Sequence, residues 1–132
     1  MQEKRKNEAT PRPTDAELAI LRVLWDLGPS TVRDVHEALS VSQGSGYTTV
    51  LKLLQIMTEK KLVLRDESER THVYRAAYSE DQTQQHLVSD LISRAFEGSA
   101  AKLVLQALNT GKASPEELDA IRKLIDSHRG SR

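Results

Sequence analysis

Three times in this chain a Ser or Thr stands three residues ahead of a Glu or Gln at the head of an apolar-periodic stretch: Thr14–Glu17, Ser79–Gln82 and Ser114–Glu117. In such a capping box the hydroxyl accepts from the backbone N–H three residues on, and the Glu or Gln side chain accepts from the backbone N–H of the cap. Three helix starts are thereby pinned, and the rest of the chain has to fit between them. After Thr14, the residues Leu18, Leu21 and Trp25 alternate with Ile20, Leu24 and Leu27 in a wide apolar face that stops at Gly28-Pro29. Ser30 or Thr31 caps a second, short helix with Val32, Val35, Ala38 and Leu39 on one side and Arg33, Asp34 and Glu37 on the other. Ser40 to Gly46 form a loop, so residues 31 to 60 read as helix, turn, helix.

The third helix, within SGYTTVLKLLQIMTEKK from Ser45 to Lys61, has two unlike faces. Ser45 is positioned to cap it by accepting from the N–H of Tyr47 or Thr48, and Val50, Leu53, Leu54 and Met57 recur at helical spacing toward a core. The opposite face carries Thr48, Thr49, Lys52 and Gln55, side chains that can contact base edges and phosphates. A plain amphipathic helix would show the same apolar stripe. The next stretch of chain narrows the choice. Leu62–Arg65 and Thr71–Arg75 are β-prone runs separated by the charged Asp66–Arg70, which predicts a hairpin. Three helices and then a hairpin is the winged-helix order, and Arg70 is the tip residue suited to a DNA backbone, since Asp66, Glu67 and Glu69 would be repelled by phosphate.

From Ser79 onward the pattern is helical only. Leu87, Val88, Leu91, Ile92, Ala95 and Phe96 form one stripe up to Gly98; Leu103, Val104, Leu105, Ala107 and Leu108 form a second after Ser99; Leu118, Ile121, Leu124 and Ile125 form a third. So short a helical region cannot bury three stripes by itself. The economical partner is a second copy of the chain related by a two-fold axis, with Leu87, Leu91, Leu103, Leu118, Ile121, Leu124 and Ile125 at the interface. Folding of these helices back onto the N-terminal part, as a monomer, is the alternative. The fold class expected is mainly α: a flexible arm at 1–13, a winged helix-turn-helix at 14–77 and a helical dimerisation region at 78–132.

Composition sets limits on function. Lys plus Arg equals Asp plus Glu at 19 each, so any affinity for nucleic acid has to be local. Residues 43 to 61 hold Lys52, Lys60 and Lys61 against Glu59 alone. The arm adds Lys4, Arg5, Lys6 and Arg12, which could touch phosphate but which a solvated tail explains better. There is no cysteine, which removes disulfides, thiolate zinc sites and thiol catalysis. No apolar run approaches the roughly 18 residues of a membrane span, and a cytoplasmic protein without membrane insertion is expected. His36-Glu37 begins like H-E-x-x-H, but Ser40 stands at the second ligand position; Gly44-Ser45-Gly46 begins like G-x-G-x-x-G, but Thr49 stands at the third glycine. His36, His72, His86 and His128 show no mutual ligand spacing. No metal, cofactor or enzymatic activity is expected.

Several fragments together resemble one family. Thr14-Asp15-Ala16-Glu17-Leu18 with Leu24-Trp25, Tyr47-Thr48-Thr49-Val50 with Leu53-Leu54, Lys60, Val73-Tyr74 and the closing Ser114–Leu118 are similar to the penicillinase-repressor family of bacterial transcriptional regulators, in one register over about residues 13 to 128. The resemblance implies a homodimeric winged-helix repressor of a palindromic operator in double-stranded DNA, typically with TACA/TGTA half-sites, and no enzymatic activity. It implies DNA contacts at Tyr47, Thr48, Thr49, Lys52 and Arg70. In antibiotic-responsive members a membrane-bound zinc metalloprotease sensor leads to a cut in the fifth helix. The corresponding pair here is Gln106-Ala107, where the best-known members carry Asn-Phe. Copper-responsive relatives sense metal through a C-terminal cysteine motif, which this chain lacks. Ile56 stands where a basic residue is common, and Lys61 where the helix usually ends on glycine. The competing reading, from a different class, is a winged-helix adaptor that docks another protein and reads no DNA.

Overall fold

The computed structural model describes residues 12–41, 44 and 46–130. The described chain runs α1 (Asp15–Leu27), α2 (Val32–Ser40), α3 (Tyr47–Glu59), β1 (Val63–Asp66), β2 (Val73–Ala76), α4 (Glu80–Ala95), α5 (Ala100–Asn109) and α6 (Pro115–Gly130). This is a winged helix-turn-helix followed by three helices, the order expected from the capping boxes and the hairpin. Residues 1–11, the greater part of the expected arm, lie outside the described residues, and so does Ser45. The chain divides into two compact units, Met1–Leu87 and Val88–Arg132.

The boxes at Thr14 and Ser79 form in full, with Thr14 N–H donating to Glu17 Oε1 at 2.9 Å and Ser79 N–H to Gln82 Oε1 at 2.9 Å. At α6 the Ser114 hydroxyl accepts from Glu117 N–H at 3.1 Å, behind Pro115 at the first helical position. Of the two candidate caps for α2, Thr31 is the one used, in a further box with Asp34. Ser30 is instead buried and exchanges two backbone hydrogen bonds with Tyr74, at 2.9 and 2.7 Å. That bridge ties the turn before α2 to the wing.

The core of the first unit is built from Ile20, Leu21 and Leu24 of α1, Val35 and Leu39 of α2, Val50, Leu54 and Met57 of α3, and Leu62, Val63 and Tyr74 of the hairpin. The helical members are residues that helical periodicity assigns inward. Leu27 departs from the expected apolar face of α1: it is 59% exposed, because the helix ends there and Gly28 turns the chain away. The strands pair antiparallel with Val63 opposite Ala76 and Asp66 opposite Val73, one residue later at each outer end than the β-prone runs suggest. The loop between them is correspondingly Glu67 to His72. Trp25 Nε1 donates to the Tyr78 carbonyl at 3.0 Å, and Tyr78 meets His86 edge to face at 5.2 Å, with Thr83 buried nearby in sequence. The first turns of α4 are thereby held to the winged unit.

In the second unit nothing of α5 or α6 is buried. Leu91, Val104, Leu105, Leu118, Leu124 and Ile125 are exposed, while Leu103 and Ile121 are half-buried; Leu87, at the end of the first unit, is also half-buried. Among the described residues no helix is long and apolar enough to cross a membrane.

Candidate nucleic-acid interface

The N-cap position of α3 is occupied by Gly46, not by Ser45, and its backbone carbonyl accepts from Val50 N–H at 3.1 Å. Glycine is well tolerated there because the cap residue has extended rather than helical backbone. From that start, Val50, Leu54 and Met57 sink fully into the core. Helical spacing then leaves Thr48, Thr49, Lys52 and Gln55 exposed on the other side, together with Ile56. All four polar residues singled out on this helix therefore share a solvent-facing surface, and Lys52 forms no ion pair among the described residues.

The carboxyl end of α3 is anchored twice. Lys60 Nζ donates to Glu17 Oε1 at 2.7 Å, and the Glu17 side chain is 3% exposed. The same carboxylate oxygen caps Thr14, so the start of α1 and the end of α3 converge on one atom. Lys60, one of the local positive charges of this segment, is thus neutralised. Beyond it Lys61 adopts φ +66°, with Lys61 N–H donating to the Thr58 carbonyl at 3.1 Å and Leu62 N–H to the Met57 carbonyl at 2.9 Å. This is a Schellman cap with lysine in the left-handed position, completed by apolar Leu62 and Met57, both buried.

Tyr47, 48% exposed, opens α3 with its ring held edge to face against His36 of α2 at 5.8 Å. Tyr47 and Leu51 then form one wall of a cleft of about 560 Å³, whose other walls are Arg33 at the start of α2 and Arg70, His72 and Tyr74 of the wing. The cleft brings Arg70 and Tyr47 together, whereas Thr48, Thr49 and Lys52 do not line it. The wing itself is ordered by local pairing. Ser68 N–H donates to Asp66 Oδ1 at 2.9 Å, and this bond, with the Ser68 hydroxyl and then Arg75, holds the Asp66 carboxyl below the usual carboxylate range. Arg65 Nε lies 2.6 Å from Glu67 Oε2; its guanidinium is held above its ordinary value first by Tyr74 and then by Glu67. One of the wing's acidic charges is cancelled in this way before any phosphate approaches.

Residues 13–127 match the penicillinase repressor family. The chain belongs to that family. Penicillinase repressors are transcriptional regulators and not enzymes, in agreement with the absence of a catalytic constellation in the sequence. The transcriptional regulator BlaI of Mycobacterium tuberculosis is 34% identical over 112 residues, covering 84% of this chain and 80% of that protein. The penicillinase repressor of Bacillus licheniformis is 22% identical over 119 residues, covering 90% of this chain and 93% of that one. Among solved structures, monomeric BlaI of Bacillus licheniformis in complex with the blaP half-operator gives a TM-score of 0.49 at 24% identity, over 55% of this chain and 88% of that chain.

Three features of this family member's interface were not anticipated from the sequence. Arg33 reads as one charge on a solvated helix face and His72 as a strand residue, and only the wing's return past α2 brings them to one cleft. The third is the pairing of Lys60 with Glu17, separated by 43 residues, which no local pattern encodes.

Proposed function

We propose that this chain is a homodimeric repressor that binds a palindromic operator in double-stranded DNA, with α3 of each copy entering one of two successive major grooves. Residues 14–77 serve as the reading part and 78–132 as the pairing part. The reading is carried by the exposed hydroxyl, amide and lysine face of α3 standing beside an arginine-bearing wing, in a chain of a repressor family. Thr48, Thr49 and Lys52 contact bases or the adjacent backbone, Tyr47 sits where the helix meets a strand of DNA, and Arg70 reaches the backbone from the wing. A two-fold axis sets the half-sites about one helical turn apart.

The exposed apolar side chains of α4 to α6 support the pairing role, because a face carrying Leu91, Leu118, Leu124 and Ile125 is larger than a monomer leaves in water without use. Relief of repression belongs to the same reading. Gln106 and Ala107 are exposed on α5, and a cut between them, prompted by a membrane-bound metalloprotease sensor system, would sever α6 from the helices it pairs with.

The test is Lys52→Ala on an operator recovered by selecting bound fragments from the source genome. If Lys52 reads a base, affinity falls by about 1–3 kcal/mol. If it meets only phosphate, the salt dependence flattens by roughly one unit. An unchanged affinity and an unchanged slope would overturn the assignment of the reading face.

A further inference from the structure

One large aliphatic side chain stands on the polar face of α3. At about 100° per residue, Ile56 projects about 40° round the helix from Lys52 and about 20° from Thr49, inside the arc that also carries Thr48 and Gln55. All five are exposed, Ile56 at 37%, while Val50, Leu54 and Met57 are fully buried and Leu51 and Leu53 half-buried. Core packing therefore does not account for an isoleucine at this position. Helix propensity does not account for it either, because a β-branched side chain is a poorer helix former than the Lys, Arg, Glu or Gln that ordinarily fills an exposed site. Flanked by hydroxyls, an amide and a cation, it is also too small a patch to dock a protein. What Ile56 offers is a single apolar contact within a surface otherwise made for hydrogen bonding.

The turn that carries it is firmly held. The Ile56 carbonyl accepts from Lys60 N–H at 2.9 Å, Lys60 Nζ is tied to Glu17 at 2.7 Å, and the neighbouring Met57 lies in the core. A β-branched side chain on a fixed helical turn has few rotamers to lose, so a contact made by it costs little ordering. In the major groove every base pair shows hydrogen-bond donors and acceptors, and thymine alone adds an apolar group, its C5-methyl. We propose that Ile56 is a specificity-determining residue that packs on the C5-methyl of one thymine in each operator half-site and so favours thymine over cytosine there. The inference rests on the proposed DNA-binding function and adds a residue to its reading face. Ile56 lies about 12 Å along the helix axis from Thr48, so it meets a different base pair. Glu59, exposed three residues further on, bounds the contact, since DNA phosphates repel it.

The probe is the operator selected with the full chain, made with deoxyuridine in place of one thymine at a time in one half-site, an exchange that removes the methyl and leaves the hydrogen-bonding edge intact. At one of these positions the parent chain is expected to bind about 3- to 5-fold more weakly, the effect of one methyl group no longer buried. Ile56→Ala should bind the thymine operator more weakly and be indifferent to deoxyuridine at that position, so that the two losses do not add. Ile56→Val keeps a branched apolar group and should retain the preference. Ile56→Arg should lose it and steepen the salt dependence by roughly one unit, as a phosphate contact takes its place. The readout is a ratio between two duplexes for the same protein, which partial unfolding of a variant does not alter. Deoxyuridine without effect at any position overturns the proposal. So does an Ile56→Ala variant as sensitive to it as the parent, because the methyl would then be read by Thr48 or Thr49. If Lys52→Ala still weakens operator binding in that case, the DNA reading stands and only the role of Ile56 falls. A parent chain that prefers no operator over a random-sequence duplex removes both.

Discussion

Glu17 Oε1 accepts simultaneously from the backbone N–H of Thr14 at 2.9 Å and from the ammonium of Lys60 at 2.7 Å, so one buried carboxylate oxygen joins the start of α1 to the end of α3. The position of α3 is therefore set by a charge at its carboxyl end as well as by its apolar face. A carboxylate this deeply buried is tolerated because both a hydrogen bond and an opposite charge meet it.

Removing the cation should expose that dependence. Lys60→Met keeps the apolar stem and leaves Glu17 without its ion pair, and is expected to cost about 2–4 kcal/mol by urea denaturation. Glu17→Gln combined with Lys60→Met should recover part of the loss, because the amide retains an acceptor for Thr14 without a buried charge. A single variant as stable as the parent would show that water reaches Glu17 and does the work of the lysine.

Lys61 tests backbone geometry instead of charge. At φ +66° an L-residue is strained, by about 1 kcal/mol or slightly more, while glycine is not. Part of that gain is returned through the greater freedom of glycine in the unfolded chain. Lys61→Gly should therefore stabilise the protein by a few tenths to about 1 kcal/mol. The reverse experiment is Gly28→Ala: nothing lies within 4 Å of an added Cβ, yet φ +83° with ψ −165° is a region almost confined to glycine, so a loss of about 1–3 kcal/mol is expected from conformation alone. Thermal melts read both.

The wing carries its own pH dependence. Asp66 is held below the usual carboxylate range in the folded state, so between the folded and unfolded values the unfolded chain binds more protons and stability rises with pH. The contribution is complete above the ordinary Asp value of about 3.9 and is lost as pH falls through the folded value. An NMR titration should show the Ser68 amide signal moving with the Asp66 carboxyl, at a midpoint below that of an unstructured Asp. A midpoint at or above the unstructured value would contradict the assigned hydrogen bond.

Pairing through the C-terminal helices is probed by Leu124→Asp. Leu124 is 60% exposed on α6, so a charge there remains in contact with water in one chain. If α6 pairs with a second copy, sedimentation should give monomers and operator binding should lose its cooperativity. A dimer unaffected by the change would move the interface off this face.

Much of the fold was legible in the sequence because helix starts and apolar periodicity are local. Thr14, Ser79 and Ser114 mark helix starts within a few residues, and Val50, Leu54 and Met57 follow a spacing that any helix imposes. The exposed face of α3 was legible for the same reason. Ser45 was expected to cap α3 and Gly46 does so instead, since serine is the stronger N-cap by propensity but the loop decides which residue stands at the turn. The outer strand ends shifted by one residue and the start of the second strand by two, because pairing fixes register and a β-prone run extends past what its partner can match. Lys60 read as a DNA-facing charge because its partner lies at the far end of the winged unit in sequence. The cleft that gathers Arg33 and His72 depends on the wing folding back, which composition does not reveal.

The exchange of two backbone hydrogen bonds between Ser30 and Tyr74 bears on how copies of this chain avoid meeting in the wrong way. A two-stranded hairpin ordinarily offers two open edges, each a template for another strand. Here β2 is flanked at Tyr74 by Arg65 of β1 on one side and by Ser30 on the other, so that edge is already occupied at its midpoint. A protein that displays broad apolar helix faces at high local concentration along DNA is exposed to aggregation through any spare strand. A single serine thus closes one edge of the wing to strand pairing, so that route competes less with the helix pairing proposed above.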